Sequence, residues 1–274
     1  MLSINTNMGA MIALQYLNKT ETDLQTTQSA ISTGLKVAGP KDNGAVYAIA
    51  QNMRGNVAGY AAVGDSLNRG VSTVDVAISA GQSISDLLNS MKSKALAAAD
   101  VSLDTASRSA LNADFVGLRD QITTIVQNAS FNGTNLVDGS TANIQALAST
   151  DGTKKITVSG QTLSLSGTIV TINTTSTIST AAKASTMVAS INASIQNVNA
   201  SLATLASGEK KFTIQNDFVS KLVDTLNAGI GNLVDANMAT ESAMLQSLQV
   251  KQQLGVQALA IANAAPSITL SLFR

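Results

Sequence analysis

The sequence predicts a mainly α-helical fold, a long antiparallel coiled-coil hairpin or bundle with a small β-hairpin element at its outer tip. Three observations support this prediction. Apolar residues recur at alternating spacings of three and four over most of the chain. Only 3% of the residues are aromatic and 12% are charged, and the small side chains that dominate instead suit closely packed helices. A stretch rich in Thr, Val and Ile between residues 155 and 173 departs from the helical spacing.

The longest apolar stripe lies in the last third of the chain. It runs over residues 188–233, and only Glu209 and Asn216 interrupt it with polar side chains. A helix with such a stripe must bury it against other helices. The stripe then resumes one residue out of phase, so we predict a break or bend within residues 235–240. Pro266 is predicted to end the last helix.

The first half of the chain carries three further helical stripes. The first helix is predicted from about Met8 to Ser32, with Thr33-Gly34 as its C-terminal signal. Residues 35–43 form a linker, because Pro40 blocks helix continuation. A second helix is predicted over residues 44–99 and a third over about 106–129, with a turn between them.

Glycines punctuate the second predicted helix. Its five glycines each weaken a helix by about 1 kcal/mol relative to Ala. They indicate either local weakness, with a kink or break within residues 55–70, or close backbone approach by a neighbouring helix. These residues are Gly55, Gly59, Gly64, Gly70 and Gly81.

Short antiparallel strands are predicted between the third and fourth helices. Phe131-Asn132-Gly133 is a turn signal, and near-alternating apolar residues indicate strands over residues 155–158 and 162–173.

The composition argues against most kinds of chemistry. The chain contains no His and no Cys, which removes the commonest general base, metal ligand and soft nucleophile. We therefore predict no enzyme activity, no catalytic residue, no metal site and no cofactor. The net charge is zero, which argues against a nucleic-acid partner, and no apolar stretch is long enough to span a membrane. Residues 1–7 lack the basic and apolar regions of a standard secretory signal.

Self-assembly is the function class that remains. The predicted terminal helices carry apolar stripes and few charges, and each stripe requires a partner. Pairing the first helix with the last covers one stripe and leaves small apolar faces, such as Ala10, Ala13 and Ala258, for other neighbours.

Several short motifs lie near the two ends of the chain. They include Asp-Ala-Asn-Met-Ala-Thr-Glu at 235–241 and Ile-Ser-Thr-Gly-Leu-Lys-Val at 31–37. The first is similar to Asp-Ala-Asp-Tyr-Ala-Thr-Glu, and the second to Leu-Ser-Ser-Gly-Leu-Arg-Ile, of bacterial flagellin. Together the motifs resemble that family, in particular its short alphaproteobacterial form. The resemblance covers about residues 1–138 and 184–274. The other matching motifs are residues 4–7, 41–50, 131–136, 260–263 and 271–274.

The resemblance implies a structural subunit of the flagellar filament, a secreted homopolymer for swimming motility. Such a subunit is exported unfolded through the flagellar type III secretion channel and meets an export chaperone, a filament cap and junction proteins. The implied organisation has four parts. They are an inner-tube helical domain (1–33 and 241–274), linkers (34–44 and 235–240), an outer rod (45–137 and 183–234) and a β-rich insertion (138–182).

The resemblance also implies two sets of site residues. Some flagellins are sensed by an innate immune receptor through an Arg and a Glu on the rod helices. An alignment without gaps places Lys92 and Gln121 there and Leu96 at a neighbouring apolar contact, which predicts weak activation because the guanidinium and the carboxylate are lost. The residues predicted to mediate self-assembly are Leu14, Leu17, Leu24, Ile31, Leu245, Leu248, Leu259, Ile261, Leu272 and Arg274.

Three alternatives remain at this stage. A hook-filament junction or other hook-associated protein shares the terminal helices. A coiled-coil adhesin or secreted effector would lack the motifs at 235–241 and 271–274. A protease-bearing flagellin needs a His-Glu-x-x-His zinc site, and this chain has no His.

Overall fold

A computed structural model describes residues 6–271 of the chain, with side chains as far as residue 264. Residues 4 and 5 of the N-terminal motif, and the predicted assembly residues Leu272 and Arg274, lie outside this range. The chain divides into two compact units. We call residues 1–55 with 225–274 the terminal unit, and residues 56–224 the central unit.

Five helices and two small antiparallel sheets make up the described chain. The prediction of a mainly α-helical fold with a small β element is confirmed. Helix α2 continues without a break through residues 55–70, so the alternative of a break there is wrong. The elements are α1 (Met8–Thr33), α2 (Gly44–Ala98), α3 (Thr105–Asn128), β1 (Ser130–Phe131), β2 (Thr134–Asn135), β3 (Asn143–Leu147), β4 (Lys155–Ser159), α4 (Ala181–Val234) and α5 (Met238–Ser271).

Helix α1 is bounded by local signals at both ends. The Asn7 side chain caps its start, because Asn7 Oδ1 accepts the backbone N–H of Ala10 at 3.0 Å. Gly34 ends it with a φ of 73° and donates its N–H to the carbonyl of Ala30 at 2.9 Å. The predicted end of this helix is therefore confirmed.

The two segments that adjoin the helices of the terminal unit pair with each other. Lys36 N–H donates to the Val234 carbonyl at 2.7 Å, and Ala236 N–H donates to the Gly34 carbonyl at 2.9 Å. Asn237 then caps α5, because its Oδ1 accepts the N–H groups of Ala239 and Thr240. Residues 235–237 between α4 and α5 are not helical, so the predicted break after α4 is confirmed.

Helix α5 runs through Pro266 to Ser271, so the prediction that Pro266 ends the helix is wrong. Proline removes one backbone hydrogen bond from a helix interior. In α5 the carbonyl that loses its helical partner is that of Ala262, and it accepts a side-chain N–H from Asn7 instead.

The core of the central unit follows the predicted stripe of α4. One residue in every seven is fully buried along this helix, and the polar Glu209 and Asn216 are only half-buried. Helix α2 contributes Leu67, Ile84 and Leu88 to the same core. The buried apolar residues of α4 within the central unit are Ala184, Ile191, Val198, Leu205, Phe212 and Val219.

The β segment follows α3. Asn132 and Gly133 both have positive φ, 48° and 78°, in the tight turn that joins β1 to β2, as the turn signal predicts. The strand predicted over 155–158 is confirmed as β4, which pairs with β3. The strand prediction over 162–173 is wrong. There, buried apolar side chains pack on helices, and Thr171 N–H donates to Ser194 Oγ of α4 at 3.0 Å rather than to a strand.

The β3–β4 hairpin packs along the sides of α2 and α4, which corrects its predicted position at the tip. A Cβ placed on Gly59 would lie 2.9 Å from Thr150, and one on Gly208 would lie 2.5 Å from Val158. Such distances leave no room for a side chain, so glycine permits the hairpin to approach both helices. At Gly59 the close neighbour is therefore this hairpin and not the predicted helix, whereas at Gly70 and Gly81 it is helix α4, as predicted.

Candidate self-assembly surface

Helices α1 and α5 of the terminal unit pack against each other in antiparallel order. A Cβ on Gly9 would lie 3.9 Å from Ala262 Cβ, and a Cβ on Gly255 would lie 3.2 Å from Leu17 Cδ1. Leu248 of α5 is 4% exposed. This intramolecular seam covers one stripe of each terminal helix, as the pairing of the first and last helices predicts.

The sides of α1 and α5 away from the seam remain apolar and exposed. Together the two helices carry only five charged residues within their bounds. They also hold eleven of the sixteen large apolar side chains that are exposed in the described chain. A soluble monomer rarely exposes so many apolar side chains together unless they bind a partner. The eleven are Met8, Met11, Ile12, Leu14, Tyr16, Met238, Met244, Val250, Leu254, Val256 and Ile261.

The predicted assembly residues divide between these two surfaces. Leu14 and Ile261 are exposed, at 47% and 72%. Leu248 is buried within the single chain, and the remaining five described leucines and isoleucines are half-buried. The half-buried five are Leu17, Leu24, Ile31, Leu245 and Leu259.

The heptad pattern did not predict most of the exposed apolar residues as candidates for assembly. In a heptad for two helices, the positions of Tyr16, Val250 and Val256 lie outside the contact and would face solvent. Their signal in the sequence is the presence of a large apolar residue at such a position, which indicates a second face beyond the seam.

A groove of about 430 Å³ lies between α1 and α5. Tyr16 and Leu17 form its α1 wall, and Leu248, Lys251 and Gly255 form its α5 wall. Lys19, Asp23 and Lys251 also line the groove, which therefore offers apolar contact and charges of both signs to an incoming segment.

The positions predicted to correspond to the immune-receptor contact lie on α2 and α3 of the central unit. Leu96 is 63% exposed, Gln121 is exposed and Lys92 is half-buried. Lys94 Nζ and Asp114 Oδ2, 2.7 Å apart, join these two helices nearby. The structure thus presents the three side chains on neighbouring helices.

The part of the chain that the structure describes offers little to a bound ion. Across those residues no cluster of three or more carboxylate, His or Cys side chains could hold a metal. Among the described helices, none combines the length and apolar character needed to cross a membrane.

Two family models match most of the chain. The bacterial flagellin N-terminal helical region matches residues 4–142, and the bacterial flagellin C-terminal helical region matches residues 188–273. These matches leave out 143–187, which contains β3, β4 and the connection to α4. The helices, including α1 and α5, therefore carry the family signal.

Similar proteins match over the full length. Flagellin FljK of Caulobacter vibrioides is 54% identical over 272 residues, which cover 99% of this chain and 98% of that protein. A flagellin of Brucella melitensis is 36% identical, with complete coverage of both chains. A crystal structure of Bacillus cereus flagellin matches 55% of this chain and 86% of that chain, at 22% identity and a TM-score of 0.49. On the two matching models and these full-length identities, the chain belongs to the bacterial flagellin family, as a short flagellin of the alphaproteobacterial type.

Proposed function

We propose that this structural subunit of the flagellar filament polymerises through the exposed apolar faces of α1 and α5. The observation that carries the proposal is the concentration of exposed large apolar side chains on these two helices. Burial of apolar surface stabilises an assembly by about 25 cal/mol per Å². The groove between Tyr16 and Lys251 would accept a side chain from a neighbouring subunit.

The family supports the same role. Flagellins are filament subunits, and the full-length matches favour that role over the hook-associated alternative. Of the predicted assembly residues, we assign Leu14 and Ile261 to contacts between subunits. We assign the buried Leu248 and the half-buried residues, such as Leu17, to the pairing of α1 with α5.

We extend the proposal to export and to further partners on the basis of the family resemblance alone. The subunit would leave the cell unfolded through the flagellar secretion channel, escorted by a chaperone, and would assemble beneath the filament cap, next to junction proteins. The inner-tube, linker and rod boundaries given above belong to the same proposal.

A single charge on the exposed face tests the assembly proposal. Leu254, 57% exposed, lies on α5 beside the exposed polar residue Gln253. Leu254→Glu should raise the concentration of unassembled subunit by at least tenfold, because a buried unpaired charge costs several kcal/mol. Sedimentation after seeding with filament fragments measures that concentration, and electron microscopy shows the filaments.

Two controls accompany this experiment. Gln253→Glu adds the same charge at the neighbouring position and should change the concentration less than Leu254→Glu does. A chain without residues 241–274 should form no filaments. Normal filaments from the truncated chain, or from Leu254→Glu, would contradict assembly through these helices.

We propose, in addition, that this flagellin activates the innate immune receptor weakly. Lys92 replaces the bidentate guanidinium, and Gln121 replaces a carboxylate. A reporter-cell assay with purified monomer should show stronger activation by the double variant Lys92→Arg/Gln121→Glu than by the natural chain. Full-strength activation by the natural chain would contradict this proposal.

A further inference from the structure

Asn7 connects the start of α1 to the interior of α5. Its Oδ1 accepts the N–H of Ala10, which caps α1, and its Nδ2 donates to the backbone carbonyl of Ala262 at 2.7 Å. One side chain therefore uses both halves of its amide, the acceptor within its own helix and the donor across to the other helix.

The Ala262 carbonyl is available because of Pro266. In an α-helix the carbonyl of residue 262 accepts the N–H of residue 266, and proline has none. Helix α5 continues through this position, so the carbonyl loses its helical partner within the helix interior. Neighbouring interior carbonyls have such partners, which makes Ala262 a distinct acceptor for an incoming side-chain amide.

The linkers hold the other end of the same helix pair. The bridge between Leu35 and Asp235 joins the chain just after α1 to the chain just before α5. The bond from Asn7 to Ala262 lies at the opposite end of α1, about 39 Å away at 1.5 Å per residue. Two separate anchors therefore fix the axial position of α1 against α5.

We propose that Asn7 and Pro266 set the register of α1 against α5 and thereby align the assembly surface. Met8, Met11 and Ile12 follow Asn7 on α1, while Val256 and Ile261 precede the freed position on α5. A neighbouring copy contacts both sets at once, so a shift of one residue displaces half of its contacts by about 1.5 Å. Asn7 is a positioning residue, and its role in assembly rests on the proposed filament function.

Disulfide formation between two introduced cysteines measures the register of α1 against α5 directly. The chain has no cysteine, and the Cβ separation of 3.9 Å between positions 9 and 262 suits a disulfide. Gly9→Cys/Ala262→Cys should therefore cross-link in filaments under mild oxidation, and the shifted pair Gly9→Cys/Asn263→Cys should cross-link much less. Adding Asn7→Ser, which keeps a capping oxygen but loses the amide donor, should reduce the difference between the two pairs severalfold.

A double-mutant cycle tests the part played by proline. Asn7→Ser alone should raise the concentration of unassembled subunit roughly five- to tenfold, because the Ala262 carbonyl loses its partner. In a Pro266→Ala chain the helix supplies that partner, so Asn7→Ser should have less than a twofold effect there. Asn237→Ser is the matched control, because Asn237 caps α5 with the same kind of acceptor bonds.

The outcomes separate this proposal from the filament function. Equal cross-linking of the two cysteine pairs, or equal effects of Asn7→Ser with and without Pro266, would overturn the register proposal while filaments still form. If the natural chain forms no filaments, the cross-linking is measured on the monomer. There, cross-linking selective for position 262 supports the register, and equal cross-linking of the two pairs rejects the register.

Discussion

The terminal and central units use their apolar residues in opposite ways. Of the thirty-four buried apolar residues in the described chain, the terminal unit holds six and the central unit twenty-eight. Of the sixteen exposed large apolar residues, the terminal unit holds twelve and the central unit four. The central unit therefore buries its core within one chain, whereas the terminal unit leaves many of its large apolar side chains exposed in the single chain.

This difference implies that the two units gain their stability at different stages. A domain whose core is complete folds as a monomer, because burial compensates for the lost conformational entropy. A helix pair with one buried seam and exposed outer faces gains much of its burial only on assembly. The free energy of unfolding of the monomer should thus depend on the central unit, and the stability of the filament should depend on both units.

The largest expected effect comes from a cavity in the central core. Phe212 is fully buried in α4, with its ring about 3.0 Å from a Cβ placed on Gly70 of α2. Phe212→Ala should lower the free energy of unfolding of the monomer by about 3–5 kcal/mol. Urea denaturation followed by circular dichroism measures this change.

Leu248→Ala is the matched change in the terminal unit. Leu248 is 4% exposed, so its removal also leaves a cavity in the seam with α1. We expect little change in the unfolding of the monomer and a clear fall in the temperature at which filaments dissociate. A loss of monomer stability as large as that of Phe212→Ala would show that the two units do not differ in this way.

The helical stripes and their ends could be predicted from local sequence. The heptad identifies Phe212 and its neighbours along α4 because burial repeats every seven residues there. Gly34 marks a helix end because capping depends on only a few adjacent residues, and the phase shift of the stripe marks the break before α5. Most of the fold therefore follows from periodicity and capping.

The features that were not predicted depend on packing between residues that are distant in sequence. The alternating apolar residues of 162–173 pack on helices, and a pattern of alternation does not reveal whether the partner is a strand or a helix. Pro266 remains within α5, with Asn7, 259 residues away in sequence, bonded to the carbonyl that it frees. The exposed apolar face was missed for a related reason, since a two-helix heptad describes only contacts within the pair.

A smaller effect is expected where the β3–β4 hairpin meets a helix. A Cβ on Gly208 would lie 2.5 Å from Val158 Cγ1, so Gly208→Ala must displace the hairpin or the side chain. Such overpacking should lower the free energy of unfolding of the central unit by about 1–3 kcal/mol. Urea denaturation of the monomer measures it.

Gly117→Ala provides the opposite case in the same unit. Gly117 is exposed within α3 and has nothing within 4 Å of an added Cβ. Alanine should therefore stabilise the helix by about 0.5–1 kcal/mol. If both variants changed stability in the same direction, close approach of the hairpin would not explain the glycine at position 208.

The smallest expected effect concerns a pair of carboxylates in the otherwise well-packed central unit. Burial raises the pKa of Asp75 above its ordinary 3.8, and the like charge of Glu209 raises it further. The ionised form of Asp75 is therefore disfavoured in the folded chain. The free energy of unfolding should rise slightly as the pH falls through this raised pKa towards 3.8, because the folded state then binds more protons than the unfolded state.

Asp75→Asn should remove this cost. The variant should show a slightly higher urea midpoint than the natural chain at pH 7, and the difference should close once the pH falls below about 3.8. Asp104→Asn should behave in the opposite way, because hydrogen bonds from the N–H and hydroxyl of Ser107 lower the pKa of Asp104. There the natural chain should have the higher midpoint at pH 7, with an advantage that is lost as the pH falls through the lowered pKa. Because each carboxyl is largely open to water, both differences should be small beside that of Phe212→Ala. A higher midpoint for the natural Asp75 chain at pH 7 would mean that the central unit tolerates the two neighbouring carboxylates at no cost.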